Sequence, residues 1–282
     1  MDLKYIDIHS HLDFADYGSD QKGIIQRMKD SGIFTITIGT GVESSKEAVK
    51  LAEENENIYA CIGNHPDDEL GEIFDEKDYE ELVKSPKVVA IGECGLDYAE
   101  LRGLDAEKRR KKSKEDQIKD FKKQIEFAIK HNKVLMLHIR DFSQGETLDP
   151  QKGVSLKKSA YEDAYNIIKE FCQGETLVKG NIHFYAGTLE WAKKFIELGF
   201  TISFTGVITF ARNYDEVIKN IPLDKIHAET DSPFVAPIPF RGKRNEPSYV
   251  IEVYKKIAEI RGEDFEMVRK QLIENTKRVF SI

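Results

Sequence analysis

Lys4-Tyr5-Ile6-Asp7-Ile8-His9-Ser10-His11 reads as a short strand that ends in two histidines. Strand side chains alternate between faces. Asp7, His9 and His11 are therefore expected on one side and Ile6 and Ile8 on the other. Two imidazoles spaced this way can grip one metal ion. Asp7, one step deeper, is expected to orient them as an acceptor behind the ligands. Taken alone, the segment also reads as surface histidines on a loop, and the rest of the chain decides between the two.

Further apolar runs follow at 34–39, 58–63, 88–92, 134–138, 180–183, 200–204 and 225–230, separated by helix-length segments. Within 116–131, for example, Ile118, Phe121, Ile125, Phe127, Ala128 and Ile129 lie on or near one helical face. The segments 159–171 and 264–282 read the same way. Eight strands, each followed by a helix-length segment, match an α/β (β/α)8 TIM barrel. A doubly wound open sheet is the alternative that strand counting leaves. In a barrel, Ile6 and Ile8 would pack against the helices and the imidazoles would line the mouth. Ligand-type residues end four more runs: Glu93 after Val88–Gly92, His138 after Val134–Leu137, His183 after Asn181-Ile182, and Asp231 after Ala228–Thr230. With His9 and His11 they make six donors, too many for one tetrahedral ion but suited to a pair sharing a carboxylate. The cofactor expected is one or two divalent metal ions, zinc, manganese, magnesium or similar, with the imidazoles favouring the softer ones.

The 282 residues are 40% hydrophobic and 33% charged, enough for one sizeable core, and 1–282 reads as a single barrel domain. Lys plus Arg is 42 and Asp plus Glu is 50, a net charge of −8. A surface that is basic throughout is excluded, so a nucleic-acid substrate requires a local basic patch or metal ions. Cys61, Cys94 and Cys172 form no CxxC pair. The start of the chain has no signal-peptide pattern, and no apolar run approaches the roughly 20 residues that span a bilayer. A cytoplasmic location without membrane contact is expected. Two stretches, 99–114 and 142–158, look like insertions at the mouth of the barrel.

The sequence resembles the TatD-like metal-dependent hydrolases of the amidohydrolase superfamily. The matching segments are DIHSHLD (7–13), IGNHPDD (62–68), AIGECGLDY (90–98), LHIRD (137–141), NIHFYAG (181–187), AETDSPF (228–234) and RNEPSYV (244–250). They span nearly the whole chain in the family order. The resemblance implies hydrolysis, typically of phosphodiester bonds in DNA. It also implies His9 and His11 on one metal, His138 and His183 on the other, Glu93 shared, and Asp231 near the attacking water. The sequence departs from the family at Val134, where proline is usual, and at Tyr185, where serine is common.

The expected activity is thus that of a deoxyribonuclease with Asp231 and Glu93 as catalytic residues and DNA or another nucleic acid as substrate. An ester or amide substrate such as D-aminoacyl-tRNA is the alternative. A binding protein on a retained barrel would lack a ligand, and none is lacking. His65 is read as a substrate-phosphate contact, against a loop histidine packed on Pro66. Arg140 is read as a phosphate contact, against a salt bridge to Asp141 or another mouth carboxylate. Glu229 and His227 should face the barrel interior, Glu229 as a support behind the ligands. Cys94, opposite in parity to Glu93, should be packed in the core. The basic run 108–112 is either a DNA contact or a solvated loop. The oligomeric state is open, and a monomer is compatible with everything above.

Overall fold

The computed structural model describes residues 2–67, 72–99, 112–141, 159–173 and 177–282. Eight strands run in chain order: β1 (Tyr5–Ser10), β2 (Ile33–Ile38), β3 (Ile58–Ile62), β4 (Val88–Asp97), β5 (Val134–Arg140), β6 (Gly180–Ile182), β7 (Phe200–Phe204) and β8 (Ile226–Ala228). Each pairs in parallel with the next. Parallel neighbours require crossovers. These contain α1 (Gln21–Ser31), α2 (Val42–Glu54), α3 (Glu76–Tyr79), α4 (Lys114–Lys130), α5 (Ala160–Phe171), α6 (Leu189–Glu197) and α7 (Asp215–Asn220). After β8 come α8 (Val250–Arg261) and α9 (Phe265–Phe280). Ser113, Ser159, Thr188 and Asp264 cap α4, α5, α6 and α9, each accepting from a first-turn backbone N–H.

Residues beyond β8 return to β1. Asp231 N–H donates to His9 O at 2.9 Å, and His11 N–H donates to Ser232 O at 2.8 Å. This parallel bridge brings the last strand round to the first, so the sheet is a barrel and not an open one. Of the two expected insertions, 142–158 lies wholly outside the described residues, and 99–114 mostly so. Lys114 already belongs to α4.

The core has two shells. The outer one packs Ile33, Ile58, Ile91, Leu135 and Phe200 of the strands against Ile24, Phe121, Ile168 and Tyr254 of the helices. The inner one joins Ile6, Ile8, Ile36, Ile38, Cys61, Ala90 and Met136, with Ile273 and Phe280 of α9 closing its floor. Ile6 and Ile8 therefore point into the barrel, not against its surrounding helices as strict alternation suggested. His9 would then point outward, but β1 is bulged. Asp7 pairs with Thr35 and Ser10 with Thr37, so β1 takes three steps where β2 takes two. A bulge of this kind re-aims the following side chain, and Ile8 and His9 share the inner face.

The same device acts on β4. Ile91 pairs with Leu135 and Cys94 with Leu137, again three steps against two. Gly92 sits at the irregularity with φ +153°, and a Cβ there would lie 2.3 Å from Met136 O. Only glycine fits that approach. Glycine also reads as a strand end, which is why the sequence suggests a strand stopping at 92. In the structure β4 continues to Asp97 and β5 to Arg140, while β8 stops at Ala228, short of Thr230.

His227 lies in the lumen near the floor, buried, with Nδ1 3.0 Å from Thr276 Oγ1 and its ring edge-on to Phe280. Burial, helped by the charge of Arg278, pushes its pKa down to about 3. Between that value and the unfolded value near 6.5 only the unfolded chain binds the proton. Stability should therefore fall as pH drops, by about 1.4 kcal/mol per pH unit from this group. Urea unfolding of wild type and His227→Gln between pH 6 and 4 should show the variant's acid slope shallower by that amount. Equal slopes would remove His227 from the acid limb.

Candidate metal centre

Glu93 stands in the middle of the barrel mouth. Its Oε2 is 3.3 Å from His9 Nε2 and 3.8 Å from His11 Nε2. Its Oε1 is 2.8 Å from both His138 Nδ1 and His183 Nε2. Asp231 Oδ1 lies 3.4 Å from His11 Nε2 and 3.7 Å from His9 Nε2. The six sequence-predicted residues thus converge: His9 and His11, with Asp231 beside them, meet one oxygen of Glu93, and His138 and His183 meet the other. A cavity of about 830 Å³ opens above them, walled also by Phe14, Thr40, Asp67, Phe184 and Phe234.

The donor set suits cations. His9 Nε2 and His11 Nε2 face each other at 3.3 Å, a contact of two lone pairs unless a proton or a cation lies between. His11 Nδ1 is 3.2 Å from Ile38 O, so its proton belongs on that side and Nε2 offers a lone pair to the mouth. His183 Nδ1 faces Glu229 Oε1 at 3.6 Å, and Glu229 is held by Ser203 Oγ and the Phe184 N–H. Burial opposes ionisation of Glu93, but the charges of His183, His9 and His65 hold its carboxyl well below the usual range. Burial likewise opposes ionisation of Asp231, and the imidazoles of His11, His183 and His9 beside it outweigh that cost. Both carboxylates stay ionised, as a divalent ion requires.

Asp231 reaches the centre from a loop, three residues beyond β8. Its φ is +53°, a left-handed conformation that aspartate tolerates. Asp7 holds this turn. Its oxygens accept from Thr230 N at 2.9 Å, from Thr230 Oγ1 at 2.5 Å and from the His9 backbone N–H at 3.2 Å. Asp7 therefore fastens β1 to the Asp231 loop and does not orient the imidazoles, because it lies on the face opposite Ile6 and Ile8.

The remaining candidates fall differently. His65 Nδ1 accepts from Asp67 N–H at 3.0 Å, which places the ring proton on Nε2. That nitrogen lies 3.3 Å from His138 Nδ1 and 3.6 Å from Glu93 Oε1. His65, Glu93 and His138 are close enough to share an ion, yet this tautomer makes His65 a donor. Arg140 Nε bonds both oxygens of Asp97, at 3.0 and 2.8 Å, a mouth carboxylate other than the neighbouring Asp141. Asp97 Oδ2 is also 2.9 Å from His138 Nε2. Sequence reasoning missed Asp97; the signal was its parity with Glu93 and Gly95 on a strand that continues past the glycines. Cys94 is buried in the outer shell.

Helix α4 supplies a second missed feature. Gln117, Asp120 and Gln124 are buried at i, i+3 and i+7, one face of the helix. Gln117 bonds the backbone N–H and carbonyl of Asp97, and Gln124 those of Asn64. Asp120 accepts from Lys112 Nζ at 2.6 Å, and the same ammonium donates to His65 O at 2.9 Å. Lys112, the last residue of the run read as either a DNA contact or a solvated loop, is instead buried beneath the site. Lys114 Nζ lies 2.7 Å from Asp163. Residues 108–111 lie outside the described residues.

A model of the family described as TatD related DNase matches residues 6–281. The chain belongs to the TatD-related DNase family. It is 37% identical over 280 residues, 98% of each chain, to the "uncharacterized metal-dependent hydrolase" YabD of Bacillus subtilis (strain 168). It is 29% identical to YcfH of Escherichia coli (strain K12), named in the same words, covering 98% of this chain and 96% of that one. The crystal structure of YjjV, a TatD homologue from E. coli K12, superposes with a TM-score of 0.80 at 26% identity over the full length of both chains. The TatD-family chain is accordingly a metal-dependent hydrolase, with histidine and glutamate clusters able to bind metal. Among its described residues no helix is long and apolar enough to cross a membrane.

The Lys112–Asp120 pair yields a stability test. Lys112→Met leaves a buried carboxylate without its partner and should cost about 3–5 kcal/mol in urea unfolding. Lys112→Met combined with Asp120→Asn should cost much less. Equal losses in the single and double variants would show the two charges to be uncoupled.

Proposed function

We propose that this protein is a deoxyribonuclease that hydrolyses phosphodiester bonds of DNA. In this reading one or two divalent ions are held by His9, His11, Glu93, His138, His183 and Asp231. One observation carries it: Glu93 divides its two oxygens between two sets of donors at the base of a cavity of nucleotide size. The family description adds support for DNA as the substrate class. Divalent ions at such a site lower the pKa of a water and neutralise charge on a phosphoryl oxygen.

The chain's own groups do the rest. Asp231, ionised and at the cavity wall, accepts the proton of the attacking water. Glu93 fixes the spacing of the two donor sets. His65 turns its Nε2–H toward the centre, where it can donate to a phosphoryl oxygen. Arg140, half-exposed on the rim, keeps its Nε on Asp97 and adds positive charge near the entering polyanion. Cleavage of a DNA oligonucleotide and deacylation of a D-aminoacyl-tRNA, assayed side by side with and without chelator, test the reading. Chelator-sensitive DNA cleavage is expected. Deacylation without DNA cleavage would replace it with the esterase alternative.

Glu93→Gln removes the charge that offsets two dications, and metal content per chain should drop to one or none. Full occupancy in that variant would end the bridging role. Asp231→Asn keeps an oxygen ligand and suits the same left-handed backbone but loses the proton acceptor. Single-turnover cleavage should slow by roughly 10²–10⁴-fold, with metal content much less affected. A near wild-type rate with metal in place would assign the base elsewhere.

A further inference from the structure

We propose that Asp97 is a positioning residue that fixes the tautomer of His138, turning a lone pair on Nδ1 toward the centre. This rests on the metal-centre reading and is independent of whether DNA is the substrate. His138 approaches Glu93 through Nδ1, at 2.8 Å, and shows its other nitrogen to Asp97 Oδ2, at 2.9 Å. An imidazole can ligate through Nδ1 only if the proton sits on Nε2. Asp97 demands that arrangement, because a carboxylate paired with a guanidinium can only accept.

The carboxylate has little freedom to do otherwise. Asp97 is buried, and Gln117 clamps both its backbone N–H and its carbonyl. Oδ1 accepts from Ala99 N–H and from Arg140 Nε, each at 3.0 Å. Oδ2 receives His138 and, at 2.8 Å, the same Arg140 Nε. In this picture Arg140 acts on the centre through Asp97.

The wiring makes an unusual ordering of substitutions. In Asp97→Asn the amide oxygen must stay at the Oδ1 position, because the Ala99 backbone N–H there can only donate, whereas His138 can change tautomer and the Arg140 Nε–H, shared between both oxygens, can turn wholly to Oδ1. The NH2 group then takes the Oδ2 position and donates to His138 Nε2. The ring proton is forced onto Nδ1, where it blocks ligation. Asp97→Ala imposes no tautomer. The isosteric variant should therefore be the worse one, the reverse of what a space-filling role predicts.

The test is calorimetric titration of the metal-free full-length chain with Zn²⁺ or Mn²⁺. The ion held by His138 and His183 should bind about 10-fold more weakly in Asp97→Ala and about 100-fold more weakly in Asp97→Asn. Binding at the His9/His11 group should change little. Nitrogen-15 spectra of histidine-labelled, Zn²⁺-loaded wild type provide a second readout that needs no variant to fold. They should show a protonated Nε2 on His138. Asparagine binding as tightly as wild type, or more tightly than alanine, overturns the proposal, as does a protonated Nδ1 in the loaded wild type. A wild-type chain that binds no ion would sink the centre itself, and this inference with it.

Discussion

A carboxylate buried among imidazoles is the constraint on which this molecule is built. Glu93 is almost without solvent, and an isolated charge there would be driven to neutrality. It stays ionised because His9, His183 and His65 surround it and because two of its neighbours, His138 and His183, come within hydrogen-bonding distance. That crowding is expensive for the imidazoles in turn. In the reading proposed above, cations take the place of the protons that would otherwise separate the nitrogens, which relieves it. The two bulges, at β1 and β4, are the backbone's contribution, since each turns one donor toward the axis that regular pairing would have turned away.

Around that cluster lies a layer of groups that touch the clustered side chains or the loops carrying them. Ile38 O faces His11, Glu229 faces His183, and Asp97 faces His138. Asp7 holds the turn that presents Asp231, and the polar row on α4 holds the segments bearing Asp97 and His65. In the reading proposed above the clustered side chains are metal ligands, each useful only in one tautomer and one orientation, and these contacts bear on both. Much of the polar burial in the upper barrel is explained by this need.

The barrel and its donors were legible in the sequence for a shared reason. Each donor stands at the end of an apolar run, so the pattern that marks the strand also marks the site. Parity was legible only in part. His9 was placed correctly although the side assigned to Ile8 was wrong, because a bulge is invisible to strict alternation. Asp97 escaped because Gly92 and Gly95 look like the end of a strand. Here they are positions where neighbouring backbone comes too close for any side chain. Lys112 escaped because a lysine in a basic run resembles its neighbours, and only the packing against Asp120 sets it apart. The α4 row escaped because polar residues three and four apart read as a solvated helix face.

The seam of the barrel has a consequence for how the protein comes into being. The last link, from the Asp231 loop back to β1, is also the link that brings Asp231 to His9 and His11. The first strand and the loop after the last thus supply His9, His11 and Asp231 to the group that meets Oε2 of Glu93. During synthesis His9 and His11 emerge early, Glu93 follows with β4, and Asp231 comes only when the loop after β8 has left the ribosome. Completion of that group is a late event, coupled to the closing of the fold and not to its beginning.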